Sequence, residues 1–113
     1  MLARVLMQLR ANRLIASFSR GTVRENSDTA DQLRKIGDPA VGPLIRALSD
    51  PDRVTHIEAV RTLGHLGSVE ALRPLTAVTK DDDPEFANEA LKAIRRILAR
   101  NDRRHPDSPE SIQ

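Results

Sequence analysis

Two stretches of this chain say nearly the same thing, one after the other. Ile36-Gly37-Asp38-Pro39-Ala40-Val41-Gly42-Pro43-Leu44-Ile45 is echoed by Leu66-Gly67-Ser68-Val69-Glu70-Ala71-Leu72-Arg73-Pro74-Leu75. Gly37 and Gly67 stand about 30 residues apart, and Leu44 and Leu75 about 31. Ala59-Val60-Arg61-Thr62-Leu63 recurs about 31 residues later as Ala90-Leu91-Lys92-Ala93-Ile94. A fixed period of this size marks units that cannot each bury an apolar face alone, so that neighbours must stack. Such an array usually offers a surface to partners, and its architecture is more legible than its function.

Composition narrows the core. With 113 residues the chain makes one small domain, and small domains bury a modest share of their surface. Aromatic residues are only 2% of the sequence, so Leu, Ile, Val and Ala on closely packed helices must supply the interior. Cysteine is absent, which removes disulfides, thiolate metal sites and cysteine nucleophiles and fits a reducing, cytoplasmic compartment. No apolar run approaches the roughly 18 residues needed to span a bilayer.

The net charge of +2 is small. The isoelectric point of about 9.7 reflects a modest excess of arginine and says little about nucleic acid. Distribution says more. Residues 1–24 hold Arg4, Arg10, Arg13, Arg20 and Arg24 and no acid, while residues 81–89 hold Asp81, Asp82, Asp83, Glu85 and Glu89 and no base. From Lys92 to Arg104 the chain is basic again. Local patches of opposite sign suit a protein partner or a second copy better than a polyanion groove.

Helical spacing predicts an amphipathic helix over residues 2–18, with Leu2, Val5, Leu6, Leu9, Ile15 and Phe18 near one face. Its arginines and lack of acids also resemble a mitochondrial transit peptide over residues 1–22, which would imply an organellar location. A capping or docking helix is the preferred reading. Residues 19–28 read as a linker, giving an N-terminal segment 1–28, a repeat region 29–100 and a polar, disordered tail 101–113. Asp28 or Thr29 is expected to cap a helix that Gly37 stops. Asp38 with Pro39 starts the next, which carries Val41, Leu44, Ile45 and Leu48. Residues 53–66 place Val54, Ile57, Val60, Leu63 and Leu66 on one face. Ser68 opens a helix to about Thr79. The last, from Glu85 to about Arg100, would bury Phe86, Ala90, Leu91, Ile94 and Ile97 or Leu98. Pro43 and Pro74 fall at equivalent points of the two echoes, each about one turn into a short helix.

The unit therefore runs helix, Gly-Asp-Pro or Gly-Ser turn, helix with Pro-Leu, Asp-Pro turn, and helix with Ala-x-x-x-Leu-Gly-x-Leu-Gly. It resembles the HEAT repeats, specifically the short bacterial PBS-lyase HEAT-like type. The resemblance is carried by Leu33 to Val41, Pro43-Leu44-Ile45, Leu48, Asp50-Pro51-Asp52 and Ala59 to Gly67. Ala71 to Leu75, Asp83-Pro84-Glu85 and Ala90 to Ile97 complete it. It implies an all-α fold, an α-α superhelix of antiparallel helix pairs. Where the family usually has a Val-Arg pair whose arginine links repeats, this chain has His56 and Ala87, so hydrophobic stacking is expected to carry more of the stability. Two full units and one leading helix are expected. So short an array predicts self-association, a homo-oligomer closed through an open end.

Chemistry finds little footing. His56 and His65 lie nine residues apart on one predicted helix and point to opposite sides, so they share no metal. Asp81-Asp82-Asp83 with Glu85 lacks the spacing and central glycine of a calcium loop and suits a helix N-terminus instead. No phosphate loop or hydrolytic triad is in view. The expected protein is non-enzymatic, with no cofactor and no metal. Lys92, Arg95, Arg96 and Arg100 recur at three and four and can form a ridge on the last helix. By the resemblance, Glu58, Arg61, Thr62 and His65 would share with them a concave face for a protein partner, an acidic one by charge. Two other readings stay open. One is an accessory subunit of a phycobilin lyase or of bilin-protein turnover. The other is a nucleic-acid-binding HEAT-like protein, which the missing aromatics disfavour.

Overall fold

The computed structural model describes residues 1–102. Six α-helices follow one another: α1 (Leu2–Ala16), α2 (Val23–Ile36), α3 (Asp38–Ala47), α4 (Arg53–Leu66), α5 (Leu72–Val78) and α6 (Pro84–Asp102). Short 3-10 turns at Phe18–Arg20 and Val69–Ala71 precede α2 and α5. No strand occurs among the described residues. The helices form three antiparallel hairpins, α1/α2, α3/α4 and α5/α6. α1 packs on α3, α2 on α4, and α4 on α6. The expected two units and a leading helix are thus corrected: α1 is the first helix of a third hairpin.

The entry to α2 differs from the sequence expectation. The region expected to be a linker is helical from Val23, because Thr22 and Glu25 form a reciprocal cap. The Thr22 hydroxyl accepts from the Glu25 N–H at 3.1 Å, and the Glu25 carboxylate accepts from the Thr22 N–H at 2.8 Å. The first two turns of α2 bury Asn26 and Thr29 rather than apolar residues, so hydrophobic periodicity is silent there. The Asn26 side chain donates to the Phe18 carbonyl at 3.1 Å, tying α2 to the turn before it.

Elsewhere the punctuation works as the residues dictate. The Asp52 carboxylate accepts from the Thr55 N–H at 2.9 Å and starts α4. Gly67 ends α4 at φ 74°, a left-handed conformation that glycine adopts without the Cβ penalty. Pro43 and Pro74 are not equivalent. Pro43 is buried in the interior of α3, whereas the 3-10 turn before α5 leaves Pro74 in its first turn.

The core runs through all three hairpins. Ile15 and Phe18, Leu33, Leu44, Val60 and Leu63, Leu75 and Ile97 are its large members. α1 contributes Ala11 and Ile15, with Leu14 partly buried. Leu2, Val5, Leu6 and Leu9, expected on that same face, are exposed instead. At about 100° per residue they lie opposite Ala11 and Ile15, and α1, as the end helix, has neighbours on one side only. Val54 on α4 and Leu91 and Leu98 on α6 are likewise exposed; α6 buries Ala90 and Ile97 as expected, and Ala93 besides. α6 continues to Asp102, so Asn101 and Asp102 are helical rather than tail. The rest of the expected tail, 103–113, lies outside the described residues. No described helix is long and apolar enough to cross a membrane. Cleavage of residues 1–22 as a transit peptide would strip Ala11, Ile15 and Phe18 from the core.

His56 and Ala87 stand where the family's linking arginine is expected, yet polar links between hairpins form at other positions. Arg53 on α4 grips both Asp83 and Glu85 at the start of α6. Its guanidinium also lies 4.8 Å from the centre of the Phe86 ring. Arg61 on α4 reaches Glu89 on α6 at 3.0 Å, and Arg4 on α1 reaches Asp38 on α3 at 3.4 Å. These ion pairs fix register more than stability.

Candidate partner-binding face

The second helices of the hairpins, α2, α4 and α6, make one face of the molecule, and the period of about 31 residues sets rows across it. Glu58 aligns with Glu89, Arg61 with Lys92, and His65 with Arg96. One period earlier, Arg34 on α2 falls in the row of His65 and Arg96.

The row of Arg61 and Lys92 is internally neutralised. Arg61 binds Glu89 and lies 3.9 Å from Glu58, and Lys92 reaches Glu89 at 3.4 Å. The Arg61 hydrogen bond holds the Glu89 carboxyl below its ordinary range, with Lys92 adding to the effect. Burial pushes the Glu58 carboxyl up, with Arg61 opposing. Thr62 is only 1% exposed, and its hydroxyl donates to the Glu58 carbonyl at 2.7 Å. Its side chain therefore offers nothing to a partner.

The next row sets two arginines around a histidine. Arg34, His65 and Arg96 are all exposed. Burial first, then Arg96 and Arg34, hold the His65 imidazole below its ordinary pKa, while Asp31 opposes. Asp31, at 3.5 Å from Arg34, is the acid bound to this row. Arg100 has another task. Its guanidinium donates to the carbonyls of His65 and Leu66 at 2.9 and 3.1 Å, closing the C-terminus of α4. Asn101 supplements it through the Gly67 carbonyl at 3.1 Å. Arg95 is exposed, turned about 100° from Arg96 around α6. The eight sequence candidates thus divide. Glu58, Arg61 and Lys92 belong to a salt-bridged cluster, His65 and Arg96 share a row with Arg34, Thr62 and Arg100 serve the fold, and Arg95 turns away. Sequence reasoning missed Arg34, Asp31 and Glu89 for this face, which one period subtracted from His65 and Thr62 and one added to Glu58 would have found.

Beside the row of Arg34, His65 and Arg96 lies an open recess of about 720 Å³, lined by Arg34, Lys35, His65, Arg100 and Asn101 among others. Asp81 and Asp83 accept from backbone N–H groups of Asp83 and Glu85 at 2.8 and 2.9 Å, as capping carboxylates do. Among the described residues no group of three or more His, Asp or Glu is gathered to hold a metal ion.

A family model of HEAT repeats matches residues 7–103. The match begins within α1 and spans all three hairpins, so the chain belongs to the HEAT-repeat family, an all-helical class of α-α solenoids that generally serve as protein-interaction scaffolds. No curated protein matches the sequence.

Proposed function

We propose that this chain is a non-enzymatic interaction module that binds an acidic protein segment along its α2–α4–α6 face. One observation carries the reading: Arg34 and Arg96, with His65 between them, form a row across three hairpins at a spacing set by the repeat itself, and Asp31 offsets only Arg34. An extended or helical segment crossing the helices would present carboxylates to that row, while the salt-bridged row beside it supplies polar contacts. The finer assignment to the PBS-lyase HEAT-like type rests on the Gly-Asp-Pro and Pro-Leu signatures of the sequence. A cytoplasmic location fits the lack of cysteine.

Amide chemical-shift mapping with a glutamate-rich peptide tests the reading. Shifts should cluster around Arg34, His65 and Arg96 and vanish in an Arg34→Glu/Arg96→Glu variant. Duplex DNA is the comparison ligand. Salt-sensitive binding to duplex DNA with no response to acidic peptides would replace this reading with the nucleic-acid one.

A further inference from the structure

α1 has two apolar faces, and the fold uses one. Ala11 and Ile15 are buried against the body of the protein. On the opposite side Leu2, Val5, Leu6 and Leu9 stand at 72%, 46%, 53% and 54% exposure. Their spacing of three, one and three makes a continuous stripe along two turns. Exposed aliphatic side chains in such a row are unlike the scattered apolar residues of an ordinary surface.

The charges around the stripe share one sign. Arg13 follows Leu9 one turn on, close to the line of the stripe, and Arg10 flanks it. Arg20 and Arg24 continue beyond the helix, and residues 1–24 contain no acid. Among the described residues Arg4 is the one arginine of this segment in an ion pair, with Asp38. Arg10, Arg13, Arg20 and Arg24 are all exposed.

We propose that α1 docks the protein on an anionic lipid surface, its outer stripe lying among the acyl chains just below the headgroups. The chemistry matches on both counts: aliphatic side chains enter the interface, and the flanking arginines meet lipid phosphates and carboxylates. Arg13 marks the depth limit, so the first two turns sit deepest. The helix lies on the bilayer without spanning it, as no described helix is long and apolar enough to cross. A second copy is a poorer occupant. Pairing α1 with itself would set arginines against arginines with no acid between them. A protein helix would need a groove, whereas α1 presents a ridge. This inference does not depend on the α2–α4–α6 face.

The test is flotation of the full chain with phosphatidylcholine vesicles, with and without phosphatidylserine. Binding is expected only when phosphatidylserine is present, and it should weaken as salt rises. Leu6→Ser/Leu9→Ser should lower partitioning at least about tenfold, and Arg10→Glu/Arg13→Glu by about as much. Both pairs are exposed, and an unchanged urea midpoint confirms that the fold survives. Absence of binding to the anionic vesicles overturns the proposal, as does binding that the serine pair leaves intact. So does a dimer seen by light scattering that the serine pair dissolves, which would give the stripe to a second copy. A Glu-rich amphipathic peptide captured through the stripe, with vesicles left unbound, would give it to a protein.

Discussion

Gly64 on α4 lies directly against Ala93 on α6. A Cβ built on Gly64 would stand 2.8 Å from the Ala93 Cα and 2.9 Å from its Cβ. The two helices approach this closely because both contact residues are small, and Ala93 is fully buried. This contact joins the second hairpin to the third.

Gly64→Ala should therefore destabilise the protein by about 1–3 kcal/mol despite the better helix propensity of alanine, because backbone rather than a flexible side chain blocks the new methyl. Urea denaturation measures this. A neutral or stabilising result would mean that α6 can move away freely. Ala93→Gly is the contrasting change, costing about 1 kcal/mol through propensity and a small void.

Phe18 tests whether α1 and its turn belong to the fold. It is fully buried between hairpins and is a hub for Asn26 of α2. Phe18→Ala should cost about 3–5 kcal/mol, whereas Leu6→Ser on the outer face of α1 should fall within about 0.5 kcal/mol of the parent. Equal effects at the two positions would contradict the two-faced description of α1.

Thr22→Ala removes one half of the cap on α2 and leaves the Glu25 N–H without its partner. The expected loss is about 1 kcal/mol. Hydrogen exchange should localise the change to the first turn of α2, and protection loss spread over the whole chain would point to a different cause.

His56 makes stability depend on pH. Its ring stacks on Phe86 with centroids 4.1 Å apart, and its Nε2 is buried without a hydrogen-bond partner among the described residues. Burial holds its pKa below the ordinary 6.5, Asp81 opposes, Arg53 reinforces, and Asp50 and Asp83 oppose. The unfolded chain then takes up the proton first. The stability gained from neutral His56 is complete above about pH 6.5 and is lost as pH falls from there through the folded pKa. His65 is shifted the same way and adds to the slope. The urea midpoint should drop between about pH 7.5 and pH 5.5, a range in which carboxylates ordinarily stay ionised. His56→Phe keeps the stack, removes the unpaired nitrogen and should flatten part of that slope; an unchanged slope would exonerate His56.

Much of the candidate face was legible because the repeat period fixes alignment. Arg61 with Lys92 and His65 with Arg96 follow from spacing alone, but their chemistry does not. Whether a cation is free or spent depends on what the neighbouring hairpin brings to it. Glu89 neutralises Arg61 and Lys92, and Arg100 turns back to the carbonyls of α4. Lys92 meets Glu89 within one helix turn, but Arg61 and Arg100 find their partners about 30 residues away in sequence and a few ångströms away in space, a distance that no local pattern encodes.

The sequence by itself determined the all-helical repeat, the turns at Gly37, Asp52 and Gly67, and the central core residues such as Leu44, Val60 and Leu63. Local propensity, capping chemistry and periodicity all agree at those positions. Tertiary structure alone decided which side of α1 is buried, since both its sides are apolar and the position of α3 breaks the tie. It also decided that α2 starts at Val23, through a cap and buried Asn26 and Thr29 that hydrophobic periodicity does not register. The inter-hairpin bonds of Arg53 and Arg61 belong with these, because stacking, not spacing, brings their acids within reach.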